Sequence, residues 1–336
     1  MRAVVYSVNG GSDVLALVER PLIEPSGGEV RVRVLVSGVN PTDIRSRASV
    51  QPQQEQIPHQ DGAGVVDAVG QGVSRLRVGD RVWVWNAAYK RPTGTAQEFV
   101  TLPEGQVEPL PAGVSLDVGA ALGIPALTAH HALTSGDGVA AQLRPATLAG
   151  RTVLVAGGAG AVGHAAIQLA VWAGATVIST VSGPRKARLA RAAGAHEVID
   201  YRLENVRDRV VAAAPSGVDI VVEVDPASNL ALDVDVLAPR GVVAIYASRG
   251  ATGIQVPIRA AMDLNARVQF ILTYAASESA KRAAVCAVTA AAAAGALAVG
   301  ESHGLPLARF VLARTVDAHD AVEAGFVGKV LVDVAQ

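Results

Sequence analysis

The stretch that decides the fold is 152–163, TVLVAGGAGAVG. Its first five residues are an apolar run of strand length, and glycines at 158, 160 and 163 then form the pattern Gly-x-Gly-x-x-Gly. In a strand–loop–helix unit, the first glycine makes a tight turn, the second lets a pyrophosphate approach the backbone, and the third lets helix and strand pack closely. A glycine turn without a ligand is the alternative. We predict a phosphate-binding loop whose contacts are Gly158, Ala159, Gly160, Ala161, Val162 and Gly163.

Strands and helices alternate on the carboxyl side of this loop. The pattern predicts a helix over 162–173, a strand over 176–181 and a helix over 185–193, followed by apolar strands over 198–200, 218–224, 242–246 and 268–273. Such alternation, with continuous apolar strands, is typical of a parallel sheet covered by helices on both faces. We therefore predict a doubly wound α/β domain around the glycine loop.

The end of the second strand predicts which dinucleotide binds. NAD-dependent enzymes usually place an Asp or Glu there to hold the ribose hydroxyls, whereas this strand ends in 181–186, VSGPRK. A hydroxyl and two cations suit a 2′-phosphate, which a carboxylate would repel. A solvated basic turn without a ligand is the alternative. The sequence predicts NADPH, with Ser182 and Lys186 near its 2′-phosphate.

The N-terminal part of the chain has a different pattern, because short strands are separated by turns. Residues 30–36 (VRVRVLV) alternate as a half-buried strand should, and 62–69 and 81–85 are similar. We predict an all-β, barrel-like region. The tail from Ser277 contains an alanine-rich helix and then strands at 309–314 and 330–334, which we expect to complete this β domain.

Composition limits the functional classes. The 336 residues carry a formal net charge of −1, which provides no basic surface for nucleic acid or anionic lipid. The single cysteine, Cys286, excludes a disulfide framework and a zinc site built from several cysteines. The most apolar stretch, 283–299, is shorter than the roughly 20 residues that span a membrane. Because the sequence opens without an apolar signal core, we expect a cytoplasmic protein.

Motifs along essentially the whole chain resemble the zinc-free medium-chain dehydrogenases/reductases, and most of all zeta-crystallin and the bacterial NADPH:quinone oxidoreductases. They occur in the family's order: Gly38–Asp43, Pro58–Gly64, Gly79–Val82, Gly123–Ala129, the glycine loop, Gly194–Val198, Asn229-Leu230, Ser248–Gly250 and Gly328-Lys329. The resemblance implies a GroES-like β-barrel catalytic domain over 1–124 and 274–336. It also implies a Rossmann NADPH-binding domain over 125–273.

The positions at which zinc alcohol dehydrogenases bind metal hold other residues here. Asn40 takes the place of the cysteine in the first motif, and Gln60-Asp61 takes the place of His-Glu in the second. Asparagine and glutamine are poor zinc ligands at neutral pH, and a lone carboxylate cannot hold the metal. We therefore predict no metal site.

The resemblance implies further cofactor contacts and an assembly. Positions around the 2′-phosphate match Ser182, Lys186 and Tyr201; positions near the nicotinamide match Thr128, Ile271, Leu272 and Thr273; other contacts match Asn229, Tyr246, Ala247, Ser248 and Arg249. Relatives associate through an edge strand of the nucleotide domain. We expect a homodimer formed along 268–273 (VQFILT), since an unpaired apolar edge is a liability.

No dedicated proton donor stands out among the catalytic candidates. Asn40 can donate a hydrogen bond to a substrate carbonyl or form an Asx-turn before Pro41, and both interpretations are open. Asp43 is either a second polar contact or the N-terminal carboxylate of a helix. Arg45 stands where relatives often have a tyrosine, and a cation there can pair with a phosphate or a substrate carboxylate. The candidate catalytic residues are Asn40, Asp43, Arg45 and Thr128.

Three functions are compatible with these features. The leading hypothesis is NADPH-dependent reduction of a quinone, which needs orientation and water exclusion more than acid–base catalysis. The second is NADPH-dependent reduction of an activated carbon–carbon double bond, as in an enone or an enoyl compound, which related zinc-free reductases perform. The third is a binding protein of the crystallin type with little catalysis, although the neutral charge argues against RNA as its ligand.

Overall fold

The computed structural model describes residues 1–248 and 250–334. Within them the strands are β1 (Arg2–Val5), β2 (Ala16–Glu19), β3 (Glu29–Val39), β4 (Asp61–Val69), β5 (Arg81–Val84), β6 (Phe99–Pro103), β7 (Val107–Pro109), β8 (Thr152–Ala156), β9 (Thr176–Val181), β10 (Glu197–Asp200), β11 (Val218–Glu223), β12 (Leu237–Ile245), β13 (Arg267–Phe270), β14 (Leu307–Val311) and β15 (Lys329–Asp333). The α-helices are α1 (Pro41–Ser49), α2 (Leu116–Ala121), α3 (Leu127–Leu133), α4 (Ala161–Trp172), α5 (Pro184–Ala192), α6 (Val206–Ala213), α7 (Pro226–Val236), α8 (Ile258–Asp263), α9 (Glu278–Ala293) and α10 (Thr315–Glu323). The chain forms two compact units, one from Met1–Ile124 and the segment after Leu305, the other from Pro125–Leu305.

The first unit is a β domain built around β3. Valines and arginines alternate along this strand, and Val30, Val32 and Val34 are fully buried. The main sheet has the strand order β14-β15-β3-β4-β5-β7, and β6 also pairs with β3. Because β15 pairs antiparallel with the carboxyl half of β3, the C-terminal strands complete this domain. The alternating pattern thus predicted the β architecture correctly.

The second unit contains a parallel sheet with the strand order β10-β9-β8-β11-β12-β13. Val153, Val155, Ile220 and Val222 on its central strands are fully buried, as expected for a sheet that is covered on both faces. The strand order changes direction between β8 and β11, and doubly wound sheets bind ligands at such a switch point, outside the carboxyl ends of the strands. The predicted α/β fold class is confirmed, and the glycine loop follows β8 at this point.

The second boundary between the units differs from the predicted one. The division at 124/125 coincides with the prediction, but the chain returns to the β domain after Leu305 rather than after Thr273. The reason is α9, whose apolar side packs against α3 and α4 within the second unit. Residues 274–305 therefore belong to the unit with the parallel sheet, and only the strands and helix beyond them belong to the β domain.

The alanine-rich segment forms a helix, as its composition predicts. Ala284, Val285 and Val288 on α9 are fully buried, at the spacing expected when one helix face packs against its unit. In the part of the chain that the structure describes, no helix is long and apolar enough to cross a membrane.

Candidate functional site

The loop between β8 and α4 has the backbone geometry of a phosphate cradle. Gly157 has a φ of +69°, and the N–H groups of Gly157 and Gly158 both donate to the carbonyl oxygen of Thr180, at 3.0 and 3.3 Å. A Cβ on Gly158 would lie 2.1 Å from the Oγ of Ser179, and a Cβ on Gly163 would lie 2.5 Å from the carbonyl oxygen of Gly157. The packing of the protein itself therefore requires glycine at 158 and 163.

Gly160 is different, because the space beside it is open. The nearest atom to a Cβ built on it is the carbonyl oxygen of Gly157, at 3.4 Å. α4 begins at the next residue, and Gly160 has no side chain with which to cap the helix. The N–H groups at 161–163 can therefore bind an anion, which the helix dipole also favours. This part of the chain fits the pyrophosphate of a dinucleotide.

The turn after β9 combines a hydroxyl group and a cation. Lys186 Nζ donates to Ser182 Oγ at 2.9 Å, and both residues are half-buried. Asp200, at the end of β10, accepts a hydrogen bond from the N–H of Gly183 at 2.9 Å. No local sequence pattern predicted that a carboxylate from the neighbouring strand would accept a hydrogen bond from this turn. Tyr201 follows Asp200 and is 53% exposed.

Six further residues predicted to contact the cofactor come after strands of the parallel sheet. They are Tyr246, Ala247 and Ser248 after β12, and Ile271, Leu272 and Thr273 after β13. Thr128 on α3 meets Thr273, with their Oγ1 atoms 2.8 Å apart. The structure thus brings together two residues that the resemblance assigned to the nicotinamide end. Arg249 lies outside the described residues.

A buried acid that was not predicted lies at the end of β11. Glu223 is fully buried, and its carboxylate accepts hydrogen bonds from the N–H of Asp225 and from Nδ2 of Asn229, the latter at 3.2 and 3.3 Å. The side chain of Val224 lies 3.4 Å from a Cβ built on Gly157, so this loop borders the glycine loop. One signal was present in the sequence: an acidic residue closes the apolar run VDIVVE, where an unpaired charge is costly.

In the first unit, Asn40 belongs to a buried polar cluster. Its Nδ2 donates to Asp61 Oδ2 at 2.7 Å, and its Oδ1 accepts from Lys329 Nζ at 2.7 Å. Lys329 Nζ lies 3.8 Å from Asp61 Oδ2, and the N–H of Ile124 donates to both carboxylate oxygens of Asp61 at 3.0 Å. The three side chains are at most 2% exposed. One ammonium and one carboxylate therefore fix the orientation of the Asn40 amide.

Asp43 joins this cluster from the first turn of α1. Its Oδ2 accepts a hydrogen bond from the N–H of Asn40 at 2.8 Å. This is the contact that a carboxylate in the first turn of a helix makes with the N-cap residue. Burial and the nearby Asp61 charge raise the pKa of Asp43 to about 8. Arg45 lies on the exposed side of the same helix. Of the predicted catalytic residues, the structure joins Asn40 and Asp43 in the cluster and leaves Arg45 apart from it.

This cluster does not fit a zinc ion. The Asn40 amide oxygen already binds the Lys329 ammonium, which would repel a second cation beside it. His59 takes part in another network, where its Nε2 lies 3.0 Å from the Nε2 of His319. Among the residues described, no three His, Cys, Asp or Glu side chains are arranged to hold a metal ion. Of the residues at the zinc-ligand positions, Asn40 and Asp61 instead form a cluster with the Lys329 ammonium, whereas the buried Oε1 of Gln60 has no hydrogen-bond partner among the described residues.

The network around His59 contains two neutral histidines. Thr95 Oγ1 donates to the carbonyl oxygen of Asp61 at 2.6 Å, Ser37 Oγ lies 2.7 Å from Thr95 Oγ1, and His59 Nδ1 lies 2.8 Å from Ser37 Oγ. Because the Thr95 hydrogen is used, Ser37 donates to Thr95 and His59 Nδ1 donates to Ser37. His59 Nε2 is then the acceptor for the Nε2–H of His319. Burial lowers the pKa of both histidines, that of His319 to about 3.

Comparison with known proteins relates both units to one family. The family of the alcohol dehydrogenase GroES-like domain matches residues 26–112, and the zinc-binding dehydrogenase family matches residues 161–289. The quinone oxidoreductase of Rattus norvegicus is 33% identical over 259 residues, which cover 76% of this chain and 75% of the rat protein. A mycobacterial protein in complex with NADPH is 29% identical with a TM-score of 0.82, covering 99% of this chain and 100% of that one. A 2-haloacrylate reductase is 26% identical with a TM-score of 0.79, covering 100% of both chains.

The GroES-like β domain and the doubly wound parallel sheet together define a medium-chain dehydrogenase/reductase. Within that class, the chain belongs to the quinone oxidoreductase family. The family and the oxidoreductase class predicted from the motifs are confirmed.

Proposed function

We propose that this chain is an NADPH-dependent oxidoreductase that reduces quinones by hydride or single-electron transfer, without zinc. The observation that carries the proposal is the contact of Lys186 with Ser182 at 2.9 Å, in the same unit as a glycine loop with open space beside Gly160. The loop suits the pyrophosphate of the cofactor, and the hydroxyl and ammonium groups suit its 2′-phosphate. The related mycobacterial complex with NADPH supports the same cofactor here.

The residues of the chain bind and orient the reactants. The N–H groups at the start of α4 bind the pyrophosphate, and Lys186 and Ser182 bind the 2′-phosphate. We assign Thr128 and Thr273 to the nicotinamide end, because their hydroxyl groups are joined at 2.8 Å and are nearly buried. NADPH, when bound, supplies the reducing equivalents. Since a quinone is a good acceptor and solvent can protonate its reduced oxygens, orientation and exclusion of water are the main demands on the protein.

Independence from zinc is proposed from the charged cluster of the first unit. A metal that displaced the Lys329 ammonium would find an amide oxygen and carboxylates, which are not a typical zinc ligand set. We expect the purified protein to contain no stoichiometric zinc and to keep its activity in the presence of a chelator. One zinc ion per chain, lost together with activity on chelation, would contradict this part of the proposal.

Reduction of an activated carbon–carbon double bond is the second candidate. It is favoured by the related 2-haloacrylate reductase and by the exposed cation Arg45, which can pair with a substrate carboxylate. The two candidates share the cofactor and differ in the acceptor. A comparison of acceptors therefore separates them.

The decisive experiment is NADPH oxidation followed with a panel of quinones and a panel of enones and haloacrylates, each repeated with NADH. We expect oxidation that depends on the quinone, with NADH poorer by about tenfold or more, equivalent to about 1.4 kcal/mol. Turnover of the alkenes alone would establish the second candidate. Inactivity with both panels would contradict both candidates and favour the binding-protein hypothesis, for which a salt-dependent RNA gel shift is the next test.

We also propose a homodimer that forms along β13. This strand is at one edge of the parallel sheet. Phe270 at its end is 65% exposed, and Leu272 just after it is 62% exposed. An unpaired apolar edge is a ready surface for pairing. Light scattering should give the mass of two chains, and a stable monomer at micromolar concentration would refute the dimer. A cytoplasmic location and the absence of nucleic-acid and membrane partners stay predictions, for which the net charge of −1 is the main support.

A further inference from the structure

Two carboxyl groups lie buried together in the second unit. Glu223 ends β11 and Asp233 lies on α7, and the two residues are 0% and 2% exposed. Within the described ranges, Asp233 Oδ2 is buried and has no hydrogen-bond donor. Asp233 lies one helical turn after Asn229, whose Nδ2 donates to Glu223, so the two carboxyl groups lie on the same side of α7. Two ionised carboxylates only accept hydrogen bonds and repel each other. Their contact becomes a hydrogen bond only if one of them holds a proton.

No nearby cation compensates a second negative charge at this place. Among the described residues, no ion pair within 4.0 Å involves Glu223 or Asp233. Charged residues on the elements around β11 and α7 pair with one another instead: Arg151 with Asp219, Arg207 with Asp235, Arg209 with Glu204, Arg240 with Asp137 and Arg259 with Asp263. Other titratable groups on or beside the packed elements are Asp208 on α6, Tyr246 after β12, and His130 and His131 on α3. Burial and the Glu223 charge raise the pKa of Tyr246, and burial lowers the pKa values of the two histidines. Asp225 contacts Glu223 through its backbone N–H.

We propose that Glu223 and Asp233 share one proton, which Asp233 donates to Glu223, and that this pair positions Asn229 for the cofactor. Glu223 accepts hydrogen bonds from Nδ2 of Asn229 at 3.2 and 3.3 Å. The Asn229 amide group therefore has its oxygen, Oδ1, left to accept a hydrogen bond from the cofactor. The same carboxylate holds the N–H of Asp225 and so fixes the turn between β11 and α7. The inference rests on the proposed NADPH site. Both acids act through Asn229 and are positioning residues.

The proton makes this arrangement sensitive to pH. Burial and the neighbouring Glu223 charge raise the pKa of Asp233 well above its ordinary value. The pair therefore keeps its proton to a higher pH than an exposed carboxyl group would, and loses it as the pH rises through the raised pKa of Asp233. Once it is lost, two buried negative charges repel each other beside a turn that borders the glycine loop, where Val224 lies 3.4 Å from a Cβ built on Gly157. NADPH affinity is thus expected to fall as the pH rises through the pKa of Asp233.

The first test measures NADPH affinity by tryptophan fluorescence from about pH 6.5 to about pH 10, between the ordinary pKa values of histidine and lysine. Affinity of the unmodified chain should fall roughly tenfold over this range, as expected for the loss of a hydrogen bond to a charged group. Asp233→Asn keeps a donor toward Glu223 at every pH, so its affinity should equal that of the unmodified chain near neutrality and stay constant. Asp235→Asn, on the same helix but half exposed and paired with Arg207, should follow the unmodified chain at every pH.

The second test detects the proton itself by infrared spectroscopy and needs no cofactor. The difference between the unmodified chain and Asp233→Asn should contain a carboxylic acid band at neutral pH, which disappears in the alkaline range where affinity falls. Any contribution from Asp43, which is unchanged in the variant, is present in both spectra and cancels. Absence of the band at neutral pH, or an equal alkaline loss of affinity in Asp233→Asn, would overturn the inference. If the unmodified chain binds no NADPH at any pH, the proposed function fails, and the infrared band still decides whether the two acids share a proton.

Discussion

The two units differ in how the residues of their candidate sites are brought together. In the unit with the parallel sheet, the groups proposed to bind NADPH lie in short turns, 158–163 and 182–186. In the β domain, Asn40 meets Lys329 across 289 positions of the chain, and His59 meets His319 across 260. Turns that need glycine leave a local signature in the sequence, whereas a pairing between distant residues leaves none. The comparison indicates that the two phosphate-binding turns are a local property of the sequence and that the buried charge cluster is a property of the folded domain.

The largest effect on stability is expected from removing the buried ammonium group of Lys329 in the β domain. Lys329→Met leaves the carboxylate of Asp61 buried without its partner, and we expect a loss of about 3–5 kcal/mol in the free energy of unfolding. Lys186→Met in the other unit removes a half-buried lysine from a turn and should cost about 0.5 kcal/mol or less. Urea unfolding of both variants measures the two losses in the free energy of unfolding.

The double variant Lys329→Met/Asp61→Asn is the control for that prediction. It removes both charges, so most of the lost stability should return. Equal, small losses for Lys329→Met and Lys186→Met would break the contrast between the two units.

A second prediction separates cofactor binding from folding within the glycine loop. Gly160→Ala places a methyl group in open space, 3.4 Å from the nearest atom. It should raise the Kd for NADPH about 100-fold, or about 2.7 kcal/mol, with little change in Tm. Gly158→Ala places the methyl group 2.1 Å from Ser179 Oγ and should lower the Tm as well. Unchanged NADPH binding in Gly160→Ala would contradict the assignment of the pyrophosphate to this loop.

The third prediction concerns the choice between the two dinucleotides. Lys186→Ala should weaken NADPH binding roughly tenfold, or about 1.4 kcal/mol, because a charge-assisted hydrogen bond to the 2′-phosphate is lost. NADH binding should not change. Arg185→Ala, an exposed cation on the same turn, should have a smaller effect. Equal weakening for NADPH and NADH would contradict the assignment of Lys186.

The smallest effect is expected from the buried histidines of the β domain. Burial holds the pKa of His59 and His319 below the ordinary value of 6.5, so between 6.5 and the folded values the unfolded chain binds more protons. The contribution of these histidines to the free energy of unfolding is fully present above about pH 6.5 and falls as the pH decreases. The loss is about 1 kcal/mol for each histidine over the first pH unit below 6.5. Denaturant unfolding at several pH values should show a weaker acid dependence in His319→Gln. His303→Gln, at an exposed histidine of the other unit, should leave the dependence unchanged.

The sequence predicted those parts of the molecule that depend on neighbours along the chain. The predicted bounds of β8 and β9 agree with the structure, because each is an apolar run that ends in a glycine-containing turn. The domain to which residues 274–305 belong was predicted incorrectly, because an alanine-rich helix can pack on either unit. Its place is set by contacts with α3 and α4.

The sequence could not predict the partners of the candidate site residues. Asn40 was singled out, but its orientation depends on Asp61 and on Lys329, which comes from β15. Glu223 was visible as an acid that closes an apolar strand, but its state depends on Asp233 being buried beside it. In both cases the chemistry depends on burial and on a partner from another element, and neither is encoded in a local pattern.

The most direct test of the proposed function counts the hydroquinone formed for each NADPH consumed, without oxygen, in the unmodified chain and in Gly160→Ala. We expect one hydroquinone per NADPH in the unmodified chain, without added metal, and a rate strongly reduced in the variant at limiting NADPH. NADPH consumption that does not depend on the quinone, or equal rates in the two chains at limiting NADPH, would contradict the account.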